Sequence, residues 1–221
     1  MWLKNQQCCA QMILSPRATV YSLPGAILQR IDNLFTVDQC QEYHRFLSSE
    51  IEWQCKQISI AGKIITEPRY TAFIADEGVR YTYSGRPNYG TGWHPVLAGP
   101  RDIVMCACEK EFGHIMTVNA AHLNRYDGPH HSLGFHSDDE PDLEGEHPIV
   151  SVSFGATRTF QIQSRSPIAH RSSQIRDDLI ELDLPDGCVV VMAGEMQQNY
   201  KHAVPAGDGV RYNITFRRCR P

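Results

Sequence analysis

Apolar residues recur at helical spacing in two stretches of the first half of the chain, and at every second position through much of the second half. The first helical stretch opens on Thr36-Val37-Asp38-Gln39, which has the form of a capping box. In that motif the Thr hydroxyl serves the Gln backbone amide, and the Gln side chain serves the Thr amide. Cys40, Tyr43, His44, Leu47 and Ile51 follow at spacings that put them on one helix stripe. The spacing predicts a second helix from about Arg101 to Phe112, with Val104, Cys108 and Phe112 on its stripe and Gly113 as its stop. Two amphipathic helices need a larger apolar surface to lie on.

The period-two stretches supply it. Val150, Val152 and Phe154 alternate with Ser151 and Ser153, Phe160 and Ile162 with Thr159 and Gln161, and Ile180, Leu182 and Leu184 with Glu181 and Asp183. Pro185-Asp186-Gly187 is a turn signal ahead of the run from Cys188 to Met192, and Asn199 to Val204 is strand-like. The last strand is the clearest: Tyr212, Ile214 and Phe216 share one face, and Arg211, Asn213, Thr215 and Arg217 the other. Short strands with turn punctuation and no long helix between them predict an antiparallel sandwich or barrel, mainly β with α buttresses. The first 25 residues read as an irregular lead-in.

Composition narrows the function. With 21 Lys+Arg against 25 Asp+Glu in 221 residues, the net charge of −4 excludes a polybasic nucleic-acid binder. A phosphate-bearing partner has to be met by a local patch. No stretch reaches the ~18–20 apolar residues of a membrane helix. Met1 to Gln7 is too polar for a secretory signal. The expected setting is therefore cytoplasmic or nuclear, with the eight cysteines reduced. None of them forms a C-x-x-C pair, which argues against a zinc ribbon.

The polar face of the last strand is either wet, as in many antiparallel sheets, or buried around something anionic. Six residues at ~3.3 Å separate Arg211 from Arg217 by roughly 20 Å of backbone. Two inward-bending guanidiniums over that distance suit a small dicarboxylate, one carboxylate each. His136-Ser137-Asp138 places an imidazole and a carboxylate on one side of a strand, and His202 near the Arg strand is a candidate third ligand. Two His and one carboxylate with open positions suit non-haem Fe(II). The other histidines, His122 among them, are scattered singly or sit in loops.

These segments resemble the AlkB-like iron(II)- and 2-oxoglutarate-dependent dioxygenases. The likeness begins near Pro68-Arg69 and runs through Tyr81-Thr82-Tyr83-Ser84-Gly85, Trp93 to Leu97, Asn124-Arg125-Tyr126 and His136-Ser137-Asp138-Asp139-Glu140. It continues with Ser151 to Gly155, His202 and the heptad Arg211-Tyr212-Asn213-Ile214-Thr215-Phe216-Arg217. H-x-D alone is common, but H-x-D followed by His and then R-x-N-x-T-F-R is specific. The resemblance implies a double-stranded β-helix (jelly roll) in one domain over residues 1–221. Residues 26–115 then form a helical and substrate-recognition part, and 116–221 the β-helix core. It also implies that His136, Asp138 and His202 bind Fe(II), and that Asn124, Tyr126, Arg211, Asn213 and Arg217 bind 2-oxoglutarate. With O2, the co-substrate becomes succinate and CO2, a substrate methyl is hydroxylated, and a hydroxymethyl on a ring nitrogen leaves as formaldehyde.

The same resemblance points to alkylated DNA, with RNA as a second substrate, acted on by a monomer away from membranes. Tyr81 and Tyr83, followed by Ser84, either pack a core or form a stacking wall for an extruded base. Glu140 matches a family position that reads an exocyclic amino group, and its charge suits 1-methyladenine or 3-methylcytosine. Arg69 either contacts the substrate strand or makes a surface ion pair. In duplex-preferring members a hairpin carries an aromatic wedge; the position aligned with it here is Ala61, too small to fill the gap left by a base. Single-stranded or loosely paired substrate is therefore expected. Arg158, Arg165, Arg171 and Arg176 form either a local phosphate patch or a solvated loop. Rival readings are the same chemistry on a protein or small molecule, a non-catalytic binding barrel, and a zinc hydrolase, which would leave the Arg row without purpose.

Overall fold

The computed structural model describes residues 16–60, 63–83, 85–112, 116–145, 147–165 and 179–220. The chain opens with β1 (Arg17–Leu23), β2 (Ala26–Asp32), α1 (Val37–Ser49), β3 (Gln57–Ile60) and β4 (Lys63–Thr66). It continues through β5 (Tyr70–Ala75), β6 (Arg80–Tyr83), β7 (Arg86–Tyr89), α2 (Pro95–Phe112), β8 (Ala120–Asp127) and β9 (Leu133–His136). Then come β10 (Ile149–Gly155), β11 (Arg158–Ser164), β12 (Leu179–Leu184), β13 (Val189–Gly194), α3 (Met196–Asn199), β14 (Tyr200–Val204) and β15 (Val210–Arg217).

A seven-stranded sheet in the order β1-β2-β13-β10-β15-β8-β5 faces a four-stranded sheet in the order β12-β11-β14-β9. All pairings within both are antiparallel. The arrangement is the antiparallel sandwich expected from the alternating pattern, in the jelly-roll form that the resemblance implies. Between the sheets Leu28, Val190 and Met192 meet Phe160, Ile162, Leu182 and Leu184. On the outer face of the large sheet Val152, Phe154, Ile214 and Phe216 pack against Tyr43, Leu47, Leu97 and Val104 from the helices. Each fully buried side chain of this kind contributes about 1.5–3 kcal/mol, so the two layers hold the large sheet from both sides.

The helix start is as read. Gln39 N donates to Thr36 Oγ1 at 3.2 Å and Thr36 N donates to Gln39 Oε1 at 2.9 Å. Cys40, Tyr43 and Leu47 are buried. Thr36→Ala is expected to cost about 1 kcal/mol of stability, read as a lowered midpoint in urea with unchanged slope. The second helix starts at Pro95, not near Arg101, and carries Pro100 inside it. Two prolines and Gly99 make that segment look like a loop, yet Pro95 suits the first helical position, whose amide lacks a partner anyway. Gly99 is what lets α2 approach α1, because a Cβ there would lie 2.9 Å from the Tyr43 hydroxyl. Gly113, the expected stop, lies outside the described residues.

One further expectation is corrected. The lead-in is not irregular from residue 17 onward, since β1 and β2 form a hairpin at the edge of the large sheet. Most of β1 is exposed, so it carries no apolar alternation to reveal it. Residues 26–115 carry α1 and α2, and they also lend β2 and β5 to the large sheet. Of the two readings of the β15 polar face the buried one holds: from Arg211 to Arg217 every residue is buried, because the small sheet covers the side that α1 and α2 do not. Among the described residues no helix is long and apolar enough to cross a membrane.

Candidate active site

The site lies between the sheets, where the inward faces of β8, β10 and β15 are polar instead of apolar. Their antiparallel register aligns Asn213 with Asn124 and Arg211 with Tyr126, while Ser153 faces Asn213 from β10. Period two does the rest: His122, Asn124 and Tyr126 on β8 point the same way as Arg211, Asn213, Thr215 and Arg217. All seven are buried.

β9 and β14 deliver the other half. Their register sets His202 opposite His136, and Asp138 follows just beyond the end of β9. The ligand atoms of His136, Asp138 and His202 lie within 4.8 Å of one another. His136 Nε2 is 3.6 Å from Asp138 Oδ1 and His202 Nε2 is 3.8 Å from Asp138 Oδ2. The Nδ1 of His136 sits 2.9 Å from the Gly134 carbonyl, a contact in which Nδ1 carries the proton and Nε2 keeps its lone pair. The sequence-read triad is assembled.

Electrostatics hold these groups in the states a cation needs. Burial pushes the His202 imidazole down to about 3, helped by His136 and Arg217, and burial likewise lowers His136. Burial opposes the charge on Asp138, but Arg217, His202 and His136 outweigh it and hold the carboxyl well below its ordinary range. Both imidazoles are neutral in the folded chain and titrate near the ordinary 6.5 when unfolded. Between those limits the unfolded chain binds more protons, so stability is full above 6.5 and is lost as pH falls toward about 3. Asp138, depressed on folding, acts in the same direction. The urea midpoint of metal-free protein is expected to stay level from about pH 8 to about pH 7 and to fall below; a midpoint that rises on acidification overturns this.

The two arginines are not equivalent. Arg217 Nη2 donates to Asp138 Oδ1 at 2.9 Å, Nη1 donates to the Tyr81 hydroxyl, and Glu140 Oε2 lies 3.6 Å from Nη1. Only its Nε is unmet. Arg211, 1% exposed, donates Nη2 to Ser153 Oγ at 2.9 Å, while its Nε and Nη1 have no partner. Its guanidinium carbon lies 5.2 Å from the centre of the Tyr126 ring. A symmetric clamp, one carboxylate per arginine, is thus replaced by one committed guanidinium beside the triad and one with open donors deeper in.

The residues read as substrate-facing are more enclosed than expected. Tyr81 is 0% exposed, stacked on Phe73 and bound to Arg217, so it is part of the wall and offers no free face. Tyr83 is half-buried, and Ser84 lies outside the described residues. Arg69 makes no surface ion pair: 2% exposed, it donates Nη2 to the Tyr83 hydroxyl at 2.7 Å and Nε to Asn124 Oδ1 at 2.8 Å, beside Glu67 at 3.4 Å. Asn124 in turn donates to Asn213 Oδ1 at 3.2 Å, and Asn213 donates to Ser151 Oγ at 2.6 Å. Glu140 is largely buried, and burial raises its carboxyl although Arg217 opposes. Arg158 is no phosphate patch either, for it is buried and donates to the Gly128 and Gly209 carbonyls at 3.1 and 2.8 Å. Arg165 pairs with Asp139 at 3.0 Å, and Arg171 and Arg176 lie outside the described residues. So does Ala61, although the β3-β4 hairpin below it is formed.

Sequence reasoning gave no site role to Glu67, to Ser151 and Ser153 although they lie in a matching segment, or to His122. The last is fully buried with both ring nitrogens unmet, and only its even spacing from Asn124 on β8 could have placed it here.

The donor set fits the group that the triad implies. One carboxylate and two neutral imidazoles with convergent Nε2 atoms suit Fe(II), and the orphaned buried donors of Arg211 suit the far carboxylate of a dicarboxylate co-substrate.

Comparison with known proteins agrees. A family profile described as the 2OG-Fe(II) oxygenase superfamily matches residues 28–217. The chain is 32% identical over 195 residues to the bovine (Bos taurus) "DNA oxidative demethylase ALKBH2", covering 85% of this chain and 67% of the relative. It is 35% identical over 162 residues to the human (Homo sapiens) "Alpha-ketoglutarate-dependent dioxygenase alkB homolog 3", covering 70% of this chain and 53% of that one. It thus spans about two thirds of the first relative and about half of the second. A solved structure, "The structure of OsALKBH1", shares the fold with a TM-score of 0.61 at 16% identity, covering 92% of this chain and 100% of that chain. With its triad, its partly unmet Arg211 and its jelly roll in agreement, the chain belongs to the 2OG-Fe(II) oxygenase superfamily as an AlkB-like dioxygenase that uses Fe(II), 2-oxoglutarate and O2.

Proposed function

We propose that this chain removes N-linked methyl groups from nucleic-acid bases, acting on single-stranded or loosely paired DNA, with RNA as a second substrate. The observation that carries the reading is a carboxylate-and-two-imidazole centre with Glu140 on one side and the open donors of Arg211 on the other. In this reading His136, Asp138 and His202 hold Fe(II). Arg211 grips the far carboxylate of 2-oxoglutarate, with Tyr126, Asn124, Asn213 and the free Nε of Arg217 completing the cradle. With its partners bound, the centre supplies an oxidant able to hydroxylate a methyl group, the co-substrate leaving as succinate and CO2.

The chain's own residues decide what is oxidised. Tyr83 offers the base a partly exposed aromatic face, and Tyr81 and Arg69 fix that face from behind. Glu140 accepts from an exocyclic amino group and complements the positive charge of 1-methyladenine or 3-methylcytosine. A hydroxymethyl on a ring nitrogen then loses formaldehyde and leaves N–H. Relatives whose names specify DNA demethylation support this substrate class, and Ala61 in place of a bulky wedge supports the single-stranded preference. The free thiols of Cys40, Cys55, Cys188 and Cys219 support a cytoplasmic or nuclear setting.

The test is a formaldehyde assay on matched oligonucleotides, single- and double-stranded, DNA and RNA, each with one methylated base, alongside a methylated peptide. Formaldehyde from single-stranded DNA ahead of duplex is expected. Release from peptide alone would move the same chemistry to a protein substrate.

A further inference from the structure

His122 is the polar side chain in the cavity that nothing so far explains. It is 3% exposed, and neither ring nitrogen has a hydrogen-bond partner. Burying such a group unpaired costs free energy, so it persists where something else completes it. It is not part of the triad. Burial, with Arg217 and Arg69 nearby, keeps the ring from taking a second proton, so it carries one N–H and one lone pair. Its ring centre lies 4.7 Å from that of Tyr83 and 6.0 Å from that of Tyr81, at the substrate wall. Asp138 and Arg217 line both the cavity that holds His122 and the neighbouring depression that holds Glu140. The two recesses thus adjoin at Asp138 and Arg217, with the Glu140 carboxylate in one and the His122 imidazole in the other.

The two cationic bases differ in the feature such a pair can read. In both, the methylated nitrogen is flanked on one side by an exocyclic amino group, which Glu140 serves equally. On the other side 3-methylcytosine has a carbonyl, whereas 1-methyladenine has only C–H. We propose that His122 donates its N–H to that carbonyl and so makes the chain selective for 3-methylcytosine over 1-methyladenine. This rests on the base-dealkylase reading above. A site with a buried donor discriminates against the ligand that leaves it unmet more strongly than an apolar site can.

The experiment compares single-stranded oligonucleotides identical but for 3-methylcytosine or 1-methyladenine, by kcat/KM and by anaerobic binding with Fe(II) and 2-oxoglutarate present. Wild type is expected to favour 3-methylcytosine by about tenfold or more in both readouts. His122→Leu is expected to bring the ratio to within about threefold of unity, and His122→Gln, which restores an N–H donor, to keep most of it. A structural role alone would lower both substrates by one common factor. That result, a ratio unchanged in His122→Leu, or no wild-type preference overturns the inference while leaving the dealkylase reading intact. A wild type that binds and turns over neither oligonucleotide overturns the dealkylase reading, and the inference with it.

Discussion

Replacing Asp138 with alanine is expected to abolish oxidative turnover. A metal centre lowers its reaction barrier by several kcal/mol, so formaldehyde release should fall by about three orders of magnitude or more. Bound iron, measured by metal analysis after desalting, should fall with it. The loss has a second component, because Asp138 is also the closest anion to the buried Arg217. Glu140 remains 3.6 Å from that guanidinium and limits the damage to the fold. Asp138→Asn separates the two effects: it keeps an acceptor for Arg217 but weakens the ligand, so stability should recover before activity does. Full activity in either variant would remove Asp138 from the centre.

Arg211→Ala should strike the co-substrate alone. Its two open N–H groups would each make a charge-assisted hydrogen bond worth about 1.5–3 kcal/mol, so the KM for 2-oxoglutarate should rise about 100-fold or more. Succinate formation against 2-oxoglutarate concentration reads this directly, with the KM for methylated oligonucleotide as the comparison. Arg211→Lys should rescue little, since a point charge cannot offer the same planar fork. Arg217→Ala should behave differently, because it disturbs Asp138 together with the co-substrate cradle and lowers metal retention as well. If the oligonucleotide KM moves most in Arg211→Ala, the deep end of the cavity does not hold the co-substrate.

Much of this was legible from residue pattern because the relevant strands are buried on both faces and carry sharply different chemistry on each. Alternation along Arg211 to Arg217 separates the helix-facing Tyr212, Ile214 and Phe216 from the polar row, and the register with β8 follows from it. The capping box at Thr36 is local chemistry, so it survives folding unchanged. Elements that depend on distant partners were harder to see. β1 is an exposed edge with little alternation, and Pro95 to Pro100 is helical because α1 and the sheet support it. Charged residues misled for the same reason: Arg69 and Arg158 are surface types whose burial is set by partners far along the chain. A solitary histidine such as His122 has no motif beyond its even spacing from Asn124, and its place emerges when Tyr81 and Tyr83 close around it.

The contact between Arg217 and Asp138 has a consequence for how the enzyme is switched on. With its negative charge already answered by a guanidinium, the carboxylate waits in position before any ferrous ion arrives. Chelators should therefore empty the centre, and fresh metal refill it, with the barrel intact throughout. Loss and return of iron are then expected to stop and restart turnover with no new round of folding.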